Sequence, residues 1–410
     1  MLETQTPGQD PARAALQQSL VERAKRLAPG IAARAEQAER DRRIPDETIA
    51  EVAEAGLFAT MVPRRYGGHE LGVRALVDIM RELSPLCVSS GWTIAFYMAH
   101  NWMWCLLPEE AQHEIFNGNS YCLGPVMVAP TVRARPENGG FRITGAAKWA
   151  TGAAHASWCM VSGIVEDAED CTAPSGPGPK PPDVRLFAMP WRDVKMIETW
   201  RTSGMAATAS HDVVFEDIWV PGHRVMNVTP ARSGQAEGAR VHASPIYNTA
   251  FTPLLCISAL APLVAGALGA ASHAVARARA FQSTYSGRTS ADNPATQIRL
   301  AKADLAAKAA STLIDTLAAD IERDSLCPPV PIESRARQRA QASYIATLCR
   351  DTVTALAHGA GASGHMLESP IQRAYRDISM AACHVVFDQD PTMELHGKMI
   401  LGMPPAVMLA

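Results

Sequence analysis

The amino-acid sequence predicts a mainly α-helical protein built around a central β-domain. Three observations carry this: helix-period patterning from Ala12 to about Asn119, a switch to short β-rich runs between Tyr121 and Val220, and a return to helical stripes thereafter. At 410 residues the chain exceeds the size at which one core usually stops growing, so subdomains around a shared interior are expected. The predicted units are an N-terminal helical domain (1–119), a middle β-barrel or sandwich (120–232) and a C-terminal four-helix bundle (233–410).

In the first unit, Leu16, Leu20, Ala24 and Leu27 repeat at helical spacing. IPDETIAEVAEAGLF offers Pro45 and Asp46 as a start signal, and LPEEAQHEIFNG stops at Gly118. FRITG, SWCMVSGIV, VRLFAMP and HDVVFEDIWV are the strand runs of the second unit, punctuated by Gly, Pro and Asp. EDAEDCTAPSGPGPKPPD among them reads as a Pro/Gly-rich surface loop with no chemistry assigned. After the loop NVTPARSGQAEGAR, Ile298, Leu305, Ala309, Leu313, Leu317 and Ile321 form one apolar stripe expected to face a core. Residues 249–271 are about as long as a bilayer span. Two interrupting prolines, many small residues and no flanking basic cluster favour a helix buried on all sides.

A formal charge of -3 gives no electrostatic case for nucleic acid or an anionic membrane. The nine cysteines include no CxxC pair and read as buried reduced thiols, so neither a disulfide framework nor a metal site is expected. The N-terminal residues carry no apolar run of the signal-peptide kind, and a cytoplasmic location is expected.

Four stretches occur in an order that resembles the acyl-CoA dehydrogenase fold: VPRRYGGHE (62–70), GFRITGAAKWATGAAHASW (140–158), GMAATASHDVVFEDIWVP (204–221) and HGAGASGHMLESPIQRAYRD (358–377). Within that superfamily, SSGWTIAFYMAHNW (89–102) and RDISMAACHVV (376–386) more closely resemble flavin-dependent monooxygenases, the oxygenase halves of two-component systems such as phenol and hydroxyphenylacetate hydroxylases. Many dehydrogenases carry their catalytic carboxylate as Glu-Gly about eight residues beyond the RD pair. That place falls near His384 here, with no Glu from Ile378 to Phe387. A dehydrogenase-like flavin oxidoreductase drawing its base from another helix is the alternative, as is N- or S-oxygenation on the same fold.

The resemblance implies roles for particular residues. His384 would lie beside the flavin and, with a pKa near neutrality, manage the proton of a flavin C4a-hydroperoxide. A core histidine bonded to a carbonyl is the competing reading, because AACHVVF is apolar. His100 would orient the substrate, or else cap helix carbonyls, and Trp92 and Trp102 would line the same pocket or simply fill the core. In KWATG, Trp149 would offer a flat face to the flavin ring, while Thr151 and the amides near Gly152 would bond its N5 and O4 edge. Thr208 and Ser210 remain of a family run whose arginine is replaced by Ala206. Asn248, where relatives can place an arginine, and Phe251 would contact substrate. Losing both positive charges points away from an acidic aromatic, toward a neutral aromatic or a carrier-bound or natural-product intermediate.

No GxGxxG opens a βαβ unit and no P-loop is present, so electrons are expected from a separate NAD(P)H:flavin reductase. Arg288 and Gln297 are the candidates for the flavin phosphates, and the missing Phe after Arg288 tilts the reading toward reduced FMN over reduced FAD, with O2 as co-substrate. A homotetramer, common for this fold, is expected.

Overall fold

The computed structural model describes residues 10–166, 182–282, 287 and 289–403. Arg288 and most of the Pro/Gly-rich loop therefore lie outside the described residues. The predicted order of helices, strands and helices is present.

Helix α1 (Pro11–Ala33) starts where Asp10 accepts the Ala12 amide, and it buries Leu20, Ala24 and Ile31. Short helices α2 (Ala35–Asp41) and α3 (Asp46–Glu54) lead to α4 (Val73–Leu83), α5 (Val88–Trp104) and α6 (Glu109–Phe116). Every residue of α5 is buried, because α5 packs against the long helix α8 (Phe251–Ala280). Helix α8 is long and apolar enough to cross a membrane, yet 94% of its apolar window is buried inside the protein. Its small residues permit close approach: a Cβ on Gly269 would stand 2.0 Å from the Pro85 carbonyl.

Helices α9 (Pro294–Asp324), α10 (Ile332–Gly359), α11 (Pro370–Ala381) and α12 (Gln389–Ile400) complete the C-terminal unit. The apolar stripe expected on α9 is corrected here. Ile298, Leu305 and Leu313 are 59%, 68% and 38% exposed, and Ala309 is exposed as well. Ala303, Ala307 and Ala310 face inward instead, joined by Ile314, Leu317, Ala318 and Ile321. The helix has two apolar faces, and the alanine face permits the closer approach to α8 and α10. The cysteine expectation also needs correcting, since Cys327 and Cys383 are exposed.

The middle unit is a single seven-stranded mixed sheet in the order β5-β6-β2-β1-β3-β4-β7. Its strands are β1 (Val126–Glu137), β2 (Gly140–Ala150), β3 (Trp158–Val165), β4 (Val184–Pro190), β5 (Lys195–Ile197), β6 (His211–Pro221) and β7 (Val225–Asn227). Among the described residues, only β1 and β3 pair in parallel. The sheet curls over its own core, so that Phe141 on β2 meets Phe187 on β4 with ring centroids 5.4 Å apart. Between Ala147 and Ala150 the β2–β6 register shifts, and this irregularity carries Lys148 and Trp149.

Candidate active site

Helix α5 supplies one side of an aromatic cluster. Trp92, Phe96 and His100 are spaced four residues apart and share a face. Trp92 and Phe96 stack at 4.7 Å, and the Phe96 ring lies 5.4 Å from that of His100. The other side is His384, which follows α11 and precedes a short turn, Val385–Phe387. Helix α10 holds that turn: Arg339 donates to the Val385 carbonyl at 2.9 Å and Ser343 to the Phe387 carbonyl at 2.8 Å. The His384 ring then stands 5.6 Å from Trp92 and 6.3 Å from Phe96. The two histidines singled out in the sequence thus flank one pair of aromatic rings.

Their partners fix which nitrogen carries the proton. His100 Nδ1 lies 2.7 Å from the Gly124 carbonyl, which only accepts, so Nδ1 is protonated and Nε2 is left an acceptor. His384 Nδ1 accepts the Val386 amide over a long 3.4 Å, so its proton sits on Nε2, a donor. Burial lowers the pKa of both to about 4. That corrects the near-neutral value expected for His384, because desolvation disfavours imidazolium and no carboxylate opposes it. His384 nevertheless keeps part of its surface open.

A second group of residues surrounds the end of β2. Trp149 has φ +64° and is 67% exposed, so the irregularity aims a large flat ring outward. Gly152 has φ +80°, and a Cβ there would stand 2.5 Å from the Tyr97 hydroxyl. Tyr97, on α5, donates to the Gly152 carbonyl at 2.5 Å, while the Gly152 amide bonds the Thr208 carbonyl at 2.9 Å. The turn is thereby tied to the helix that carries His100. Thr151 Oγ1 lies 3.0 Å from Ser210 Oγ, which lies 2.8 Å from Thr208 Oγ1. Thr208 and Ser210, the cofactor-binding candidates of that run, are buried and stand behind Thr151 in a chain of hydroxyls.

The loop carrying Thr208 hangs from Asp377, whose carboxylate accepts the Met205 amide at 2.6 Å and the Ser89 hydroxyl at 3.2 Å. Burial pushes the Asp377 pKa up to about 6, against the opposing effect of the Met205 bond. Met205 and Ala209 have φ +54° and +46°, left-handed conformations that this anchoring sustains.

The remaining predicted residues lie elsewhere. Trp102 is fully buried, donates to the Ile246 carbonyl at 2.7 Å and packs with Phe251 at 6.3 Å, a pair separate from the histidine group. Trp102 is therefore core, and Phe251 is 4% exposed beside it. Asn248 is half-buried at the end of the turn leading into α8. Gln297 is exposed and bonds the Ala291 carbonyl at 2.9 Å. Near it, Arg277 and Arg299 line a cleft with Ser290, Thr296 and Gly359, and Arg277 donates to the Ala360 carbonyl at 2.8 Å.

Sequence reasoning missed Phe96, Tyr97, Arg277 and the anchoring role of Asp377. Spacing offered a signal for the first, since Trp92, Phe96 and His100 recur every fourth residue.

These residues fit a reduced flavin. A flat exposed aromatic, a backbone turn that tolerates no Cβ and a hydroxyl with unused acceptor capacity suit a planar ring whose N5 carries a proton. The family model for the acyl-CoA dehydrogenase N-terminal domain matches residues 14–114, and that for the C-terminal domain matches 259–389. The chain is 36% identical to a pigment production hydroxylase from Rhodococcus sp., over 94% of this chain and 97% of the relative. It is 30% identical to an FADH2-dependent resorcinol hydroxylase oxygenase component from Rhizobium sp., covering 90% and 91% of the two chains. The solved structure of the 3-HSA hydroxylase from Rhodococcus sp. RHA1 superposes with a TM-score of 0.88 at 26% identity, over 96% of this chain and 99% of that one. The chain belongs to the acyl-CoA dehydrogenase family and, within it, is a flavin-dependent monooxygenase that uses reduced flavin and O2.

Proposed function

We propose that the protein is the oxygenase component of a two-component system, hydroxylating a small neutral aromatic or natural-product substrate with reduced flavin delivered by a separate NAD(P)H:flavin reductase. The observation that carries this reading is the pair of neutral imidazoles of opposite hydrogen-bond polarity across Trp92 and Phe96. A bound reduced flavin, FMN or FAD, would supply the electrons and, with O2, the electrophilic oxygen.

The chain's own residues do the rest. The acceptor Nε2 of His100 takes the hydrogen bond of a phenolic hydroxyl, which raises electron density on the ring carbons to be attacked. The donor Nε2–H of His384 holds a proton at the oxygen being transferred. Trp92 and Phe96 sandwich no charge, and the buried Ala206 adds none, which favours a neutral ring. A relative named for resorcinol supports a phenolic class. Trp149 would cover one flavin face, Thr151 and the Gly152 turn would meet its N5 edge, and Arg277 and Arg299 would hold phosphate near their cleft. The exposed Ile298, Leu305 and Leu313 face of α9 packs against another copy in a homotetramer, and the protein works in the cytoplasm.

The test is a single turnover with resorcinol as the phenol probe, mixing the anaerobic complex with reduced FMN against oxygenated buffer. His384→Ala is expected to keep reduced FMN bound while product yields to hydrogen peroxide. His100→Ala is expected to weaken resorcinol binding or alter the position of hydroxylation. Wild-type product yields from both variants would overturn the assignment.

A further inference from the structure

Behind Thr151 the hydroxyls form a chain whose direction follows from its far end. Thr208 Oγ1 lies 3.0 Å from the Met205 carbonyl oxygen, which cannot donate. Without a proton between them two lone-pair-bearing oxygens would face each other, so the Thr208 proton points at Met205. Thr208 Oγ1 can then only accept across its 2.8 Å contact with Ser210, so Ser210 donates. Ser210 has spent its proton, and across 3.0 Å it must accept from Thr151. Each hydroxyl has one proton, and the chain consumes all three. Thr151 is left facing outward with lone pairs only.

The anchor of this chain is rigid. Asp377 holds the Met205 amide at 2.6 Å, Trp200 Nε1 also donates to the Met205 carbonyl at 2.9 Å, and the Gly152 amide ties the Thr151 turn to the Thr208 carbonyl at 2.9 Å. Ser210 and Thr208 are themselves buried, at 3% and 1% exposure.

We infer that Ser210 and Thr208 are positioning residues that fix the Thr151 hydroxyl as a hydrogen-bond acceptor, and thereby make the site select reduced over oxidised flavin. Reduced flavin carries a proton on N5 and donates there; oxidised flavin presents a bare N5 lone pair. An acceptor-only Thr151 attracts the first and repels the second. The inference rests on the reading that Thr151 faces N5.

Anaerobic titration with FMN and with dithionite-reduced FMN gives the ratio of the two dissociation constants, and spectroelectrochemistry gives the potential of the bound flavin independently of turnover. In Thr208→Val the acceptor for Ser210 is gone, Ser210 turns toward Thr151, and the Thr151 proton is released toward N5. The preference for reduced FMN is expected to fall about tenfold, the scale of one hydrogen bond gained or misdirected in a desolvated site. The bound potential falls correspondingly by about 30 mV for a two-electron couple. Ser210→Ala should act likewise, and Thr208→Ser, which restores the hydroxyl, should recover the wild-type ratio. Should Thr151→Val leave the ratio unchanged, Thr151 does not face N5 and the site reading itself fails. Should Thr151→Val lower the ratio while Thr208→Val and Ser210→Ala do not, the site reading stands and the inference is overturned. Equal weakening of both redox forms in the two buried variants would also overturn it, as a merely structural role.

Discussion

Lowering the pH of a single turnover from 8 to 5.5 is expected to leave the fraction of O2 converted to hydroxylated product unchanged. With a pKa of about 4, His100 and His384 are each only about 3% protonated at pH 5.5, whereas a histidine at 6.5 would be about 91% protonated there. The difference matters because protonation of His100 Nε2 removes the acceptor offered to substrate. General acid–base assistance of this kind is worth about 10²–10⁴-fold, so an unshifted histidine would reduce product yield visibly across the range. The assay mixes the anaerobic complex with oxygenated buffer at each pH and quantifies product and hydrogen peroxide, using a substrate that does not titrate between pH 5.5 and 8. A product yield that falls with an apparent pKa of 6–6.5, and loses that inflection in His100→Gln or His384→Gln, would refute the argument.

The same desolvation makes the fold acid-sensitive. The folded values lie below the 6.5 of an unperturbed imidazole, so between pH 6.5 and 4 the unfolded chain binds more protons. The stability held by the neutral rings is complete above pH 6.5 and is lost as pH falls toward 4. For the enclosed His100 this amounts to about 3 kcal/mol at most.

Three further outcomes are expected. Gly152→Ala should destabilise by about 2–3 kcal/mol in urea unfolding, combining the left-handed φ with displacement of the Tyr97 hydroxyl, and a change below about 0.5 kcal/mol would contradict the close contact. Asp377→Asn should gain on the wild type by about 2 kcal/mol between pH 4 and 7: a raised folded pKa means that the native carboxyl binds more protons between 3.8 and about 6, so the wild type loses stability as pH rises through that window. Urea titrations at the two pH values give the difference, and its absence would show that the carboxylate is not desolvated. If the proposed homotetramer forms through α9, Leu305→Asp should dissociate it in sedimentation at micromolar concentration without destabilising the subunit, since the side chain is 68% exposed; unchanged sedimentation would remove α9 from the proposed interface.

The change of sequence period at about residue 120 and its reversal after 220 were enough to place the helices and strands, because local patterning reports which faces are wet. The same patterning fails inside α5, where all residues from Val88 to Trp104 are buried. Phe96 and Tyr97 sit in that run beside Met98 and Ala99, and hydrophobicity cannot separate a pocket wall from the core. On α9 the failure differs. Ranking residues by size places Ile298, Leu305 and Leu313 inside, whereas the alanines occupy the narrow gap against α8 and α10 and the large residues are left outward.

At the candidate site the residue types were legible and their protonation was not. His100 and His384 stood out through RDISMAACHVV and AFYMAHNW, but a carbonyl 24 residues away and a backbone amide two residues on decide which nitrogen of each carries hydrogen. Burial then moves both pKa values in the direction opposite to the one expected for a proton carrier near neutrality. The resemblance of GMAATAS to a family run makes Thr208 and Ser210 cofactor-binding candidates. Their hydroxyls bond between Met205 and Thr151, and only a fold that brings 151, 205, 208 and 210 together gives that chain its direction. A hydroxyl in a sequence is both donor and acceptor; tertiary structure removes one of the two capacities, and what remains at Thr151 is complementary to a protonated N5.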